Sequence, residues 1–586
     1  MTKTVYPVRL PDILTETASL ELQRCRRRIF FLARHSRNTA LAWSGSRRDR
    51  RSRDMWIKVN AVQNPTSDKK MKTKNITTLH WFAAIFGCGS MLITLGTASA
   101  QQPLHPALIA DVDAPQEVNP QPNFVMAQAP APVGIPFQST MGENAYAAAK
   151  QRAKSGYAPG VTEPFSLAPT SLGPPVIKTN NFNGHSETQG LFPPDTHGAI
   201  GVDHFVEVTN SHFDVFSKAL PNALLKSVTL ATFFNYNVET LFDPRVVYDQ
   251  TWQRWIVTAD AFPESTTVKR LFIAVSKTSD PTGPFFIYNI DVDFFNNNDF
   301  YDFPQVGIDQ DAVLFTANIF PEAGGVSGAD FFSIAKARLY NGLSFSVPIF
   351  TGLAATLAPP IVLDQNASTF LIAAPPSGTT FTKFTATNTS HPSSTRLVQS
   401  TVTVPFYDVP PNAHQSGTAQ LIDTSDSRFV NASTQNGTDL WQTHTINRLG
   451  FASPFFYRMN TSNNTLKQSG FFHASGTSDD FNASIAANTA GNSFVTWTST
   501  DAPVGINAQV RLSGKLNADA QITAGTAGFT STRFLTGNFD PSFGIQRWGD
   551  YSAVTLDPSN EATAWLVNEK INSSSLWGSR IITIGF

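Results

Sequence analysis

The sequence predicts an all-β protein built around a single β-propeller, and three observations lead there. From about residue 164, runs of five to nine residues rich in Val, Ile, Phe, Thr and Tyr follow one another, separated by Gly, Asn, Asp and Pro. Nothing in that region carries the 3.6-residue apolar period of a useful helix. A short motif ending in Asp or Asn recurs through it: Ile200–Asp203, Val246–Asp249, Val306–Asp309, Ile361–Asp364, Gln420–Asp423, Ser484–Asn488 and Val554–Asp557. Successive motifs lie 46, 60, 55, 59, 65 and 69 residues apart. A repeat of that length, with about four strands per unit, is the signature of a propeller blade. Seven motifs predict seven blades, or six if the first and last units merge where the ring closes.

Each element has a local reason. The first strand of a unit is apolar on both faces because it sits innermost, with a neighbour on either side, and the Asp ends it in a turn. A second strand follows: Arg254–Ala261, Ala312–Ile319, Ser368–Ala374, Asn492–Thr498 and Ala562–Asn568. Its aromatic residue (Trp255, Phe315, Phe370, Trp497 or Trp565) is expected to pack between blades rather than touch a ligand.

The N-terminal part divides differently. Residues 1–70 hold sixteen Lys and Arg against six Asp and Glu, a net of +10, and are expected to be a non-native upstream extension or a basic leader. Residues 71–100 form a signal peptide. Lys72 and Lys74 precede an apolar run over Trp81–Leu95, and Ala98-Ser99-Ala100 offers a small-residue cleavage site before Gln101. The apolar run is shorter than the ~20 residues of a membrane span. The protein is therefore expected to be exported, to the periplasm or beyond, without a stable membrane anchor. Residues 101–165, rich in Pro, Ala and Gln, are expected to be a tether with at most two helical turns near Ala147–Ala153. Residues 166–586 are expected to be the propeller. The two cysteines, Cys25 and Cys88, both precede Ala100, so the exported chain would hold no disulfide and no thiolate chemistry.

Composition excludes several classes. Charged residues are 15%, against ~25% in ordinary domains. With 46 Phe and 41% hydrophobic residues the chain is neither a coiled coil nor wholly disordered. Beyond residue 100 there are 25 basic and 38 acidic groups, a net of −13, which argues against nucleic-acid binding.

Several segments resemble one family. They are Pro193–Gly201 (PPDTHGAIG), Asp243–Asp249 (DPRVVYD) with Gln253-Arg254-Trp255, Ser279–Gly283 (SDPTG), Asp302–Gly307 (DFPQVG) and Arg547–Ser552 (RWGDYS). Together they resemble secreted bacterial β-propeller proteins, loosely sialidase-like in shape and mostly without assigned function. The resemblance covers roughly residues 190–586 and implies the fold, not an activity. The repeated S-x-D-x-G-x-T-W box of sialidases is missing from the sequence.

In a propeller, residues just before each inner strand converge near the axis on one face. Here those positions hold Asp195, Asp243, Asp302, Asp480 and Asp550, six to eight residues before the strand-ending Asp or Asn, flanked by His197, Arg245 and Arg547. Carboxylates crowded in one funnel need a cation or arginines between them, or their pKa values rise. Three readings stand open. Each Asp caps a turn; or Asp195, Asp243, Asp302, Asp480 and Asp550 ligate a cation, for which oxygen ligands suit Ca²⁺; or paired carboxylates act on a glycosidic bond while Arg245 and Arg547 hold an acidic substrate. The functional expectation is an exported binding or interaction module using this Asp-lined face, its ligand a carbohydrate or another protein. The alternative is a secreted carbohydrate-active hydrolase or lyase. The loop Asp291–Asp299 lacks the order of a calcium loop, and neither G-x-S-x-G nor zinc spacing occurs.

Overall fold

The computed structural model describes residues 101–121, 138–155, 175–188, 191–262, 269–321 and 324–586. The expected leader and signal peptide lie outside the described residues. Antiparallel sheets follow one another along the chain, joined by short turns. The first contains His197–Ile200, His204–Val208, His212–Ser217 and Leu224–Thr229. The second contains Thr240–Asp249, Arg254–Phe262, Arg270–Ser276 and Phe285–Asp291. Phe300–Ile308, Ala312–Phe320, Gly328–Ala335 and Phe345–Leu353 come next. Ser368–Ala373, Gly378–Thr387 and Arg396–Tyr407 form a sheet against which Ala358 bridges Ile372, just ahead of Pro360–Val362. Ser433–Asn436, Asp439–Arg448, Phe451–Asn460 and Thr465–Phe471 follow, then Asp479–Ala487, Ser493–Asp501, Ile506–Lys515 and Thr526–Thr530. Ala553–Leu556, Thr563–Ser573 and Leu576–Gly585 close the chain, and Val176–Ser186 adds the outer strand of that last sheet. Among the described residues helices are few, and none is long and apolar enough to cross a membrane.

The core lies between sheets, face against face. Trp255 is fully buried with Ala199, Val206 and Val208 of the preceding sheet. Phe315 packs with Ile256, Phe370 with Phe455, Trp497 with Trp441, and Trp565 with Ile200 and Phe205. All five aromatics expected to pack between units do so. The strand-ending acids also behave as expected. Asp249 Oδ1 accepts from Thr251 N and Trp252 N, Asp309 Oδ1 from Asp311 N and Ala312 N, and Asp557 Oδ1 from Ser559 N.

One motif is misassigned by the sequence. Gln420–Asp423 does not open a unit; that role falls to Ser433–Asn436, which pairs with Asp439–Arg448. Ile422 makes only isolated bridges, to Ala413 and Gln546. An apolar pair before Asp fits a buried loop as well as a buried strand, and Ser433–Asn436 is polar because Gln435 hydrogen-bonds the preceding sheet at Phe370 N and Ser368 O.

The expected tether is also corrected in part. Leu108–Val112 pairs with Phe345–Ile349, and Gln116–Val118 with Phe285–Ile287. Each adds an outer strand to a sheet edge that would otherwise expose unpaired backbone. Glu143–Lys154 forms a helix whose Tyr146, Ala149, Lys150 and Ala153 fall on one face and are buried.

Candidate functional site

A recurrent backbone device positions the acidic residues. Asp195, Asp243, Phe303, Thr356 and Asn482 have φ of 46°, 50°, 59°, 52° and 49°, in the left-handed region. Two residues beyond each, the ladder starts or resumes, at His197, Arg245, Gln305, Ala358 and Ser484. Asp and Asn tolerate that conformation through their short polar side chains. Phe303 does not, and it is held there by the Arg428 and Arg245 guanidiniums, 4.8 and 5.7 Å from its ring centre, and by Tyr551 at 5.2 Å.

Four of the five expected carboxylates come together. Asp195 Oδ1 accepts from Asp550 N at 2.7 Å. Asn210 ties the first two acids: its Nδ2 donates to Asp195 Oδ2 at 2.6 Å and its Oδ1 accepts from Asp243 N at 2.8 Å. Tyr551 donates its hydroxyl to Asp243 Oδ2 at 2.8 Å. Burial pushes Asp195, Asp243, Asp302 and Asp550 each up to about 7, and neighbouring acids add to the rise in every case.

Asp480 does not join them. It lies one residue further back from the left-handed position than Asp302 does. Its side chain stays inside its own sheet, accepting from Trp497 Nε1 at 2.6 Å, Ser478 Oγ at 2.5 Å and Ala474 N at 3.1 Å. The calcium expectation therefore loses a ligand. Among the described residues no group of three or more His, Cys, Asp and Glu is placed to hold a metal ion.

Arginines neutralise the layer instead. Arg547 Nη2 lies 3.5 Å from Asp550 Oδ2 and its Nε 3.6 Å from Asp423 Oδ2. Arg428 grips Asp426 with Nε and Nη2, at 2.8 and 2.9 Å. Arg245 donates to Pro304 O, Val430 O and Asn431 Oδ1, with its guanidinium 3.3 Å above the Tyr551 ring centre. Burial and Arg245 hold His197 well below the usual imidazole range, so it is neutral, and its Nδ1 accepts from Val246 N at 3.3 Å. Arg245 and Arg547 are thus both engaged by protein acceptors.

The helix covers this layer. Tyr146 donates to Asp423 Oδ1 at 3.2 Å, and Lys150 donates to Thr424 Oγ1 at 2.8 Å and to the Ser425 carbonyl. Burial lowers the Lys150 ammonium to about 8. The acids beneath are only 1–8% exposed. Sequence reasoning missed Asn210, Asp423, Asp426, Arg428, Tyr551 and Lys150. Tyr551 and Asp423 stood inside quoted motifs, whereas nothing local marks a lysine in an Ala-rich segment as a cap.

A cavity of ≈ 480 Å³ is lined by residues of successive strands, among them Ile200, Val247, Ile308, Ile361, Thr434, Ile485 and Val554. His197, Arg245 and Asn431 belong to its lining, and of these Arg245 and Asn431 are buried. Gln250, Trp252, Gln310, Asp311, Asp364 and Gln365 also line it, all exposed but the half-buried Asp364. Trp252 there is 56% exposed.

No protein-family model matches the chain, and no curated protein matches it. Solved structures similar in shape include the Trypanosoma rangeli sialidase, at 10% identity and TM-score 0.33, over 68% of this chain and 60% of that one. An exo-β-1,3-galactanase from Phanerochaete chrysosporium with galactose gives 12% identity and TM-score 0.28 over 69% and 96%. One from Clostridium thermocellum gives 9% and 0.28 over 59% and 88%. The chain is thus distantly similar in structure to β-propeller glycoside hydrolases, and a likeness this remote says nothing of what it does.

Proposed function

We propose that the chain is an exported β-propeller of seven blades, closed on itself, that binds a neutral glycan at the mouth of its axial channel. Closure is supported where the chain's ends meet. Ile200 N donates to Thr555 Oγ1 at 3.2 Å, Trp565 packs on Phe205, and Val176–Ser186 completes the last sheet. The count of seven is supported by the channel lining, to which seven successive inner segments contribute.

The observation that carries the binding reading is the channel mouth. Exposed Trp252 offers a flat apolar face beside the amides of Gln250, Gln310 and Gln365 and the carboxylates of Asp311 and Asp364. That mixture suits hydroxyl groups on a partly apolar ring. The acids disfavour an anionic sugar, since Lys336 is already paired with Asp249 at 2.7 Å. Calorimetry against a panel of neutral oligosaccharides tests this. Trp252→Ala should weaken binding about tenfold, as truncation of an aromatic anchor does. Asp243→Asn should leave it unchanged. Binding lost in Asp243→Asn and kept in Trp252→Ala would overturn the channel in favour of the acidic layer.

A secreted carbohydrate-active hydrolase is the second reading, favoured by Asp243, Asp302 and Asp550 lying together with pKa values near neutral. It requires displacement of the helix Glu143–Lys154. Turnover of chromogenic glycosides that rises when Lys150 and Tyr146 are replaced by alanine would support it; no turnover in either protein would remove it. Export is tested by N-terminal sequencing of the secreted product, which should begin near Gln101.

A further inference from the structure

A second cluster lies beside the acidic layer and takes no part in it. His185, at the end of Val176–Ser186, places Nδ1 2.7 Å from Asp214 Oδ2 and Nε2 3.2 Å from Ser211 Oγ. The side chains of His185 and Asp214 are 10% and 3% exposed. Ser211 sits in the turn between Val208 and His212, next to Asn210, and is 5% exposed.

The hydrogen bonds leave one consistent direction for the protons. Asp214 Oδ2 accepts, so Nδ1 of neutral His185 carries the hydrogen and Nε2 presents its lone pair to Ser211. Thr209 Oγ1 accepts from Ser211 N at 3.4 Å and from His212 N at 3.1 Å. Its own hydrogen is then directed at Ser211 Oγ, 3.1 Å away, and Ser211 donates onward to His185. The imidazole is fixed in plane by stacking on His212, with ring centres 4.3 Å apart, and by Trp577 at 5.7 Å. His185 N also donates to Glu207 Oε2 at 2.9 Å. A hydroxyl, a base and an acid in series are the parts of nucleophilic catalysis, whatever their order along the chain.

The geometry points to Ser211 as an activated nucleophile for small acyl esters, with His185 as its general base and Asp214 as the positioning residue. Ser211 Oγ bonds to the ester carbonyl carbon while its proton passes to His185 Nε2. The carbon–oxygen bond to the leaving alcohol breaks, and that oxygen takes the proton from His185. Water, deprotonated by His185, then cleaves the acyl–Ser211 ester to a carboxylic acid and restores the serine. The narrow exposure of Ser211 restricts the acyl group to a small one.

Burial disfavours the imidazolium of His185, but the Asp214 hydrogen bond and the charges of Asp214, Glu207 and Glu187 outweigh it and raise the pKa, while His212, stacked alongside, is lowered. Acylation should therefore rise with pH along a limb lying above the ordinary histidine value. The test uses p-nitrophenyl acetate and a fluorophosphonate probe on the full chain. Expected are a p-nitrophenolate burst of one equivalent and a probe adduct on the peptide carrying Ser211. Both should vanish in Ser211→Ala, and His185→Gln should slow them at least ~100-fold. Asp214→Asn should slow the burst and shift the pH limb, which a purely structural role would not do. Circular dichroism checks that each variant is folded. Absence of the burst in the wild type, an adduct on another residue, or a burst surviving in folded Ser211→Ala would overturn the assignment.

Discussion

Replacing Asp243 and Asp302 together by asparagine should change how the protein's stability responds to pH. Both acids rise from the ordinary aspartate value of 3.8 to about 7 on folding. The folded protein therefore binds protons that the unfolded chain has released between about pH 4 and 7. The stabilisation is full below pH 4 and is lost as pH rises through 7. One proton is worth ~1.4 kcal/mol per pH unit. Because the two acids repel each other, one to two protons are retained by the pair, which gives about 3–5 kcal/mol lost between pH 5 and 7. Asparagine keeps the oxygen that accepts from Tyr551 and carries no charge, so the variant escapes this loss. A domain of roughly 400 residues unfolds with ~0.8 kcal/mol/K of entropy, so the variant should gain about 3–6 °C on the wild type over that interval. His197, His444 and His473, all held below the usual imidazole range chiefly by burial, oppose the trend below pH 6.5, but they are common to both proteins and cancel in the difference. Thermal unfolding followed by circular dichroism at pH 5, 6, 7 and 8, at fixed ionic strength, measures it. A gap between the two melting temperatures that stays constant, or narrows as pH rises, would refute the reasoning.

Other changes have separable outcomes. Asn210→Ala strips the link between Asp195 and Asp243 and should cost ~2–4 kcal/mol in denaturant unfolding, since it removes the partner of three buried polar groups, Pro193 O, Asp195 Oδ2 and Asp243 N. Trp565→Ala opens a void between the last and first sheets and should cost ~3–5 kcal/mol by the same measurement. Lys150→Ala removes the contacts to Thr424 and Ser425 and should speed hydrogen exchange of residues 143–154 while the amides of Thr563–Ser573 stay protected. Arg245→Lys replaces the planar fork that donates from Nε to Pro304 and from Nη1 to Val430 and Asn431, and that stacks on Tyr551, by a single nitrogen, and should lower the melting temperature although charge is conserved.

Much of the architecture was legible because it depends on local pattern. The apolar strand, its Asx turn and the aromatic second strand recur at Val246–Asp249 with Trp255 and at Val554–Asp557 with Trp565, and the structure places each as expected. The pattern failed at Gln420–Asp423, where burial in a loop imitates burial in a strand. It failed again at Asp480, because a shift of one residue along the chain sends a side chain to another face.

The sequence by itself determined the β-rich repeat, the strand-ending turns, the aromatics between sheets and the gathering of Asp195, Asp243, Asp302 and Asp550, all consequences of spacing within one unit. Tertiary structure alone decided what faces those acids. Arg428 and Asp426 come from a loop far along the chain, Tyr551 from the segment just before Ala553–Leu556, and Lys150 from a helix that precedes Val176–Ser186. It likewise decided that His185, Ser211 and Asp214 meet, since Val176–Ser186 pairs with the last sheet and lies beside the first. Contacts of this kind depend on how separate elements are brought side by side, and no periodicity within a segment carries that information.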